Sequence, residues 1–513
     1  MTEQAENTKR IAKNTLMLYV RMLFGMLVSL YTSRVVLQAL GVEDYGIYNV
    51  VGGVVAMFSM ISSSLSSSVS RFLTFELGRG DMQQLKKVFS TSLCIHFVLA
   101  GIVLLLAESI GVWFLNTRMT IPADRLYAAN WVFQASLIAF MFGLFSVPYN
   151  ASIVAHEKMT AFAYISILDI ILRLCVVLFV AYMPFSFDRL IVYSLLLVAV
   201  GVFMQAIYWI YCQQHFAECR LRFNFDRSSW KAMSTFAGWN FIGCTASLLK
   251  DQGVNVLLNL FGGPAVNAAR GIANSVNTLI SSFSGNFMTA LNPQITKSYA
   301  AGNYDYMFTL VEKGSRFSYY ILLIFALPVL FETEFILTLW LGNYPEHTIN
   351  FVRLILLVTL CDILSNTLIN LQLATGKLRN YQLAVGGMLL MNFPLSYLCL
   401  KKGFPPESVL MIAMGVAVCC LFLRLLFLRK MVGLSIRRYL VNVCGNVLMV
   451  TSFAFVFPII IVLQVSDGLP RFFFICIASV VNSIMSIYWI GCTSSERNFI
   501  RDKVFNTSVN FYR

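Results

Sequence analysis

The sequence predicts an all-α integral membrane protein of about fourteen transmembrane helices. Twelve of them form two six-helix repeats, an N-lobe and a C-lobe around a central cavity, and two more follow at the C-terminus. Three observations predict this. Of 513 residues, 58% are apolar and only 12% are charged, which is more apolar surface than one water-soluble core could hide. Apolar stretches long enough to cross about 30 Å of hydrocarbon recur along the whole chain. The two halves also repeat each other inside that apolar sequence.

The stretch 14–39 opens the N-lobe, carries Arg21 and Arg34 and closes on LQALG (37–41). It is too long for a signal-peptide core and no small-residue cleavage site follows it, so it is expected to be retained. The stretch 46–68 ends in SSSLSSSVS (62–70), whose hydroxyls either line a polar path or let helices pack closely through small residues. Helices over 88–111, 128–150, 161–183 and 189–212 complete the half. Asp169 and Arg173 stand four apart on the third of these, so they share a face and fit a structural ion pair at least as well as a site. The C-lobe begins with 234–260, which carries Lys250 and Asp251, and 265–291, which carries Arg270. It continues through 316–340, 350–375 (with Arg353 and Asp362), 380–400 and 407–429 (with Arg424), and 438–463 and 470–492 end the series. Pro148, Pro328 and Pro394 fall within helices or at their ends, where a kink serves as a hinge or is simply tolerated. The chain thus divides into 1–215, 216–430 and 431–513.

The repeat is readable residue by residue. LQALG (37–41) recurs as LNLFG (258–262), pairing Gly41 with Gly262, and ELGRGD (76–81) recurs as SYAAGN (298–303), pairing Gly80 with Gly302. WFLN (113–116) recurs as WLGN (340–343), and AHEK ending at Lys158 as ATGK ending at Lys377. Internal repeats in membrane transporters place the substrate site at the interface between halves that rock against each other.

The net charge of +14 is mostly a bias among the connections. With the N-terminus inside, the inner segments carry 25 basic residues and the outer ones about 7, which sets both termini in the cytoplasm and draws the inner face to anionic lipid. Nucleic acid is not implied, because no soluble basic domain exists to hold it. The longest soluble stretches, 69–87, 213–233, 292–315 and 493–513, are each too short to fold as a catalytic domain. No GxxxxGK[ST] loop occurs, and Gly376-Lys377 lacks the upstream glycine, so the chain does not hydrolyse ATP itself. His96, His156, His215 and His347 are scattered, with no metal-binding spacing, and the twelve cysteines form no CxxC pair. No cofactor is implied. A membrane polymerase or transferase of envelope sugars would call for a large external loop, and the longest here, 113–127, is short.

Charge inside the helices singles out the candidate site. A charge in hydrocarbon costs about 3 kcal/mol or more unless it faces a cavity or a partner. Arg424, Arg21 and Arg353 are near enough to helix ends for their side chains to snorkel. Arg34, Lys250 and Arg270 resist that explanation. They lie on the helices that open the two halves, so they are expected to share one chamber whose surplus of positive charge suits an anionic ligand, phosphate above all. The competing reading is helix-to-helix pairing. Asp251 and Asp362 stand near mid-membrane without a counter-ion four residues away. They are candidates for Na⁺ or H⁺ coupling, Asp251 first, or else they only neutralise the cavity cations.

The runs LLNLFGGPAVNAARGIANSVN (257–277), NFMTALNPQITKSYAAGN (286–303) and RVVLQALGVEDYGIYNVVGG (34–53) resemble the bacterial polysaccharide flippases of the multidrug/oligosaccharidyl-lipid/polysaccharide exporter superfamily. The resemblance covers essentially the whole chain, and the two last helices match fourteen-helix members. It implies a cargo of oligosaccharide on a polyprenyl diphosphate, flipped to the outer face of the bacterial cytoplasmic (inner) membrane for cell-surface polysaccharides such as lipopolysaccharide O-antigen. It implies membrane lipids and other envelope-polysaccharide assembly proteins as partners, and cavity cations that Arg34, Lys250 and Arg270 would supply. A multidrug or metabolite antiporter of the same fold remains the alternative, and such a protein would prefer a carboxylate-rich cavity.

Overall fold

The computed structural model describes residues 3–498 and 501, except 57, 120, 184–186, 221–224 and 467. Parts of the expected soluble stretches 213–233 and 493–513 therefore lie outside the described residues. Every regular element among the described residues is helical. In the first half α1 (Glu3–Ala56) and α2 (Ser59–Arg79) are followed by α3 (Met82–Leu106), which runs through a π-helical turn into α4 (Val112–Thr117). Then come α5 (Leu126–Ala155), α6 (Met159–Tyr182) and α7 (Arg189–His215). The second half holds α8 (Arg227–Ala300), α9 (Tyr304–Phe331), α10 (Thr333–Leu341), α11 (Thr348–Ile363), α12 (Asn366–Thr375), α13 (Arg379–Leu390), α14 (Asn392–Lys401) and α15 (Ser408–Val432). The chain ends with α16 (Ile436–Tyr439), α17 (Asn446–Gln464) and α18 (Leu469–Ser486).

Local chemistry fixes the boundaries. Asp81, Asp188 and Asp226 accept backbone N–H groups at the starts of α3, α7 and α8, which satisfies donors a helix leaves orphaned. Gly80, Gly376 and Gly433 close α2, α12 and α15 in the left-handed conformation. The expected helix over 380–400 is interrupted between α13 and α14 just ahead of Pro394, whose ring removes one hydrogen bond and crowds the preceding turn.

Among the described residues, eleven helices are long and apolar enough to cross a membrane. The three expected spans that do not reach that standard are 46–68, 234–260 and 265–291, which lie within α1, α2 and α8. Their sequences explain the shortfall: one contains the serine run, and the others contain Asn240, Lys250, Asp251, Asn255, Asn259, Asn267, Arg270, Asn274 and Asn277. Helices this polar cannot face lipid on all sides.

The repeat reappears in the backbone, with one correction to its register. α1 is broken at Gly41 (φ 83°, ψ 170°) and α8 at Gly263 (φ 74°, ψ −176°), so Gly41 corresponds to Gly263 rather than to Gly262. Pro264 explains the choice, because proline drives the residue before it out of the helical region. Gly80 and Gly302 then share the same offset with φ of 75° and 74°.

Two compact units result. One comprises Met1–Cys244 with Thr296–Asn303, and the other comprises Thr245–Ile295 with Tyr304–Arg513. In the first, α5 carries Phe133, Leu137, Leu144 and Ile153 wholly buried, with Phe89 of α3 among them. In the second, Tyr319 Oη of α9 meets Thr451 Oγ1 of α17 at 2.9 Å, and Arg471 Nε of α18 reaches Oε1 of Glu332, between α9 and α10, at 2.8 Å.

Candidate functional site

In the second unit, the break at Gly263 brings the two limbs of α8 together. Arg270 Nη1 donates to the carbonyl oxygen of Asp251 at 3.2 Å across 19 residues, a separation that a continuous helix would stretch to about 28 Å. Arg270 is 5% exposed, and its buried Nε has no hydrogen-bond partner. It therefore ties α8 to itself and holds a spare donor inside the bundle.

Asp251, whose carbonyl accepts this tie, is preceded by Lys250. Lys250 Nζ stands 3.9 Å from Asp251 Oδ1, with the lysine side chain 14% and the aspartate side chain 63% exposed. That distance is the outer limit of an ion pair, so Lys250 is held loosely. Asp362, at the end of α11, is half-buried and has Lys250 and Arg424 as its electrostatic neighbours, with Asp251 beyond. Lys250, Asp251, Arg270, Asp362 and Arg424 form one polar cluster of three cations and two carboxylates in an apolar bundle. Such a cluster can hold an anion on its surplus positive charge.

Arg424 was expected to snorkel, and the structure corrects this. It is 6% exposed, its Nε donates to Tyr381 Oη at 3.1 Å, and its buried Nη1 has no hydrogen-bond partner. The guanidinium points inward because the Tyr381 hydroxyl accepts its hydrogen bond and the Asp362 carboxylate offers an electrostatic neighbour, neither of which lipid supplies. Arg353 also turns inward, capping the end of α9 through Leu330 O at 3.1 Å and Thr333 Oγ1 at 3.3 Å. Arg21 lies 4.9 Å above the Phe162 ring and 3.4 Å from Ser166 Oγ. The expected pair of Asp169 and Arg173 forms, with Nε 3.0 Å from each carboxylate oxygen.

Lys250 and Arg270 share the second unit, whereas Arg34 stands exposed on α1 in the first. In the serine run, Ser64 Oγ donates to Ala237 O at 2.7 Å and Ser68 Oγ to Met233 O at 3.0 Å. Those two hydroxyls therefore serve helix packing. Three charged groups that sequence reasoning passed over also matter. Arg71 lies over Phe72 and Phe75, 4.5 Å from each ring, a contact that the spacing RFLTF (71–75) contains. Arg125 joins Asp44 of α1 and Asp188 of α7, which raise its proton affinity above the ordinary value through their hydrogen bonds. Buried Glu157 binds Arg10 Nε at 2.8 Å and Lys297 Nζ at 2.6 Å.

A family model described as polysaccharide biosynthesis protein matches residues 9–299. The uncharacterized membrane protein EpsK of Bacillus subtilis (strain 168) is 22% identical over 325 residues, 62% of this chain. The match spans 63% of EpsK's own length, under two thirds. Among solved structures, a MATE in the straight conformation superposes with a TM-score of 0.69 at 14% identity, over 83% of this chain and 96% of that one. The MATE transporter ClbM in complex with Rb⁺ gives 0.69 at 14% identity, over 84% and 96%. A MOP superfamily transporter from Pyrococcus furiosus, described as having a binding pocket of reverse polarity, gives 0.67 at 12% identity over 82% and 95%.

Proposed function

Because the chain belongs to the polysaccharide biosynthesis protein family of the MOP superfamily, we propose that this multi-pass membrane transporter flips an oligosaccharide linked to polyprenyl diphosphate. The direction is from the cytoplasmic to the outer face of the bacterial inner membrane, by alternating access of an N-lobe and a C-lobe. The observation that carries the reading is the match over residues 9–299. The cationic surplus of the second-unit cluster supports it, since a diphosphate needs donors in a poorly solvated site. Lys250, loosely paired, is the first ligand for the diphosphate, with Arg270 of the same unit second and Arg34 of the first unit as a further cationic candidate. Asp251, with its side chain 63% exposed, is the better placed of the two carboxylates to take up Na⁺ or H⁺, and Asp362, between Lys250 and Arg424, comes second. The protein acts as a transporter rather than as an enzyme, and other envelope-polysaccharide assembly proteins are its partners.

Purified protein in proteoliposomes should move a polyprenyl-diphosphate sugar across the bilayer without ATP. Strict dependence on ATP with no ATPase subunit present, or appearance of a longer glycan, would overturn the reading.

A further inference from the structure

The first unit encloses a polar cavity of about 460 Å³ that lies within one unit and that the transport reading does not use. It opens between α1, α5, α6 and α7, where Gly143 and Gly201 leave room that side chains would fill. Its charged lining is Arg21, Asp169 and Arg173. Asp169 has both oxygens taken by Arg173 Nε at 3.0 Å, so it offers little to a metal cation. Arg21 has Ser166 Oγ at a long 3.4 Å and the Phe162 ring, and among the described residues no carboxylate lies within ion-pair distance of it. A guanidinium at this depth calls for a counter-charge.

Neutral hydrogen-bonding groups converge on the same space. The Tyr208 hydroxyl is hydrogen-bonded with Asn150 and Ser166, and the buried Asn150 Oδ1 has no hydrogen-bond partner.

A second cavity, of about 410 Å³, has Arg10, Lys13, Glu157, Lys158, Tyr164 and Tyr211 in its lining, and although Glu157 pairs with Arg10 the cations outnumber the carboxylate three to one. It lies on the same helix faces as the first, nearer the N-terminal end of α1. Arg10, Asn14, Arg21 and Gly25 fall at spacings of four and seven on α1, and Tyr211, Tyr208, Met204 and Gly201 at three and four on α7, which is one stripe of a helix in each case. Cationic groups at the outer cavity thus lead to Arg21 about 16 Å further in.

We infer that the groove of α1, α6 and α7 is an anion site that takes a phosphate group, with Arg21 as its ligand and Arg10 and Lys13 as its entrance. The phosphate is that of an anionic phospholipid headgroup or of free inorganic phosphate. The planar guanidinium matches phosphate oxygens, and the space is ample for phosphate with its waters. The inference stands apart from the transport of lipid-linked sugar, and neither depends on the other.

The test is thermal unfolding of the full chain in neutral detergent at constant ionic strength. Short-chain phosphatidylglycerol, phosphatidylcholine of the same chain length, inorganic phosphate and Na⁺ are titrated separately. A saturable rise with phosphatidylglycerol and not with phosphatidylcholine identifies the lipid source, and a saturable rise with inorganic phosphate identifies the free ion. In either case Arg21→Gln should weaken the apparent affinity about tenfold or more, and Asp169→Asn, which releases Arg173, should tighten it. A cation site gives the opposite sign: Na⁺ stabilises the parent, and Asp169→Asn abolishes the response. That result overturns the inference, as does a flat response to both phosphate probes or an Arg21→Gln curve identical to the parent's. Should Arg21→Gln fail to fold, Arg21→Lys, which keeps the charge and loses the planar fork, should weaken phosphate affinity, and an unchanged curve overturns the inference.

Discussion

Among the described residues, the two at positive φ that bear a side chain are Glu157 (φ 59°) and His347 (φ 69°), and each is hydrogen-bonded to a charged partner. The left-handed conformation costs such a residue about 1–2 kcal/mol, so it persists where the side chain returns more. In the second half of the repeat the position of Glu157 is taken by Gly376, at φ 74°. The glycine is the unstrained solution, and the first half forgoes it for a buried carboxylate that joins Arg10 of α1 to Lys297 of α8. Glu157→Gly should therefore relieve strain yet lower stability by about 1–3 kcal/mol net, because removing one partner of a buried pair costs about 3–5 kcal/mol and Arg10 is half exposed. Glu157→Gln, which keeps the strain and loses the charge, should unfold at a lower temperature than the parent. A glycine variant as stable as the parent would show that the bridges do no more than offset the strain of about 1–2 kcal/mol. His347 Nδ1 lies 2.7 Å from Glu407 Oε1, and Asn350 Nδ2 donates to the same oxygen at 3.0 Å. Burial pushes the Glu407 carboxyl up, but the hydrogen bonds from Asn350 and His347 outweigh it and hold the group below its ordinary 4.5. Its contribution is complete above that ordinary value and is lost as pH falls through the lower folded one. The gap in unfolding midpoint between the parent and Glu407→Gln should be wide near about pH 6 and should narrow toward about pH 3.

Gly263 does for α8 what no other residue type could, since its φ of 74° with ψ of −176° lies in a region populated essentially by glycine alone. A Cβ there would meet no atom within 4 Å, so the penalty of Gly263→Ala is conformational, about 1–3 kcal/mol. It should exceed that of Gly80→Ala, at φ 75° and ψ 10°, where the ordinary left-handed well costs about 1 kcal/mol. Equal losses in thermal unfolding would refute the distinction. The same helix shows what the sequence could and could not reveal. The repeat and the presence of a break were legible from glycine placement. Which of Gly262 and Gly263 bends was legible only through Pro264, whose steric demand falls on its immediate predecessor. The partners inside the cluster were not legible. Asp362 has Lys250 and Arg424 as electrostatic neighbours, residues far away in the chain, and periodicity reports faces of one helix but never which faces meet. The expected spans 46–68, 234–260 and 265–291 fall short of the hydropathy of a membrane span among the described residues, because serine, asparagine and charged residues interrupt their apolar sequence.

At the scale of the whole molecule, the orientation of the chain and the number of passes are one question, because α8 counts as two spans only if the reversal at Gly263 occurs in the membrane. Between Arg118 and Lys377 lie five of the eleven apolar spans and the two limbs of α8. Seven passes put these residues on opposite faces, whereas a single pass by α8 would put them on the same one. Basic residues anchor their segments inside because they are translocated with difficulty, so the charge bias predicts Arg79 and Lys377 at the cytoplasmic face and Glu43 and Arg118 at the outer one. All four are exposed, and a cysteine at any of them is open to a thiol reagent once the twelve native cysteines are replaced. In intact spheroplasts an impermeant maleimide should label Glu43→Cys and Arg118→Cys, and should label Arg79→Cys and Lys377→Cys only after permeabilisation. Labelling of Lys377→Cys together with Arg118→Cys, with Arg79→Cys protected, would show that α8 crosses once. Labelling of Arg79→Cys and Lys377→Cys alone would show that the charge bias has been read with the wrong sign.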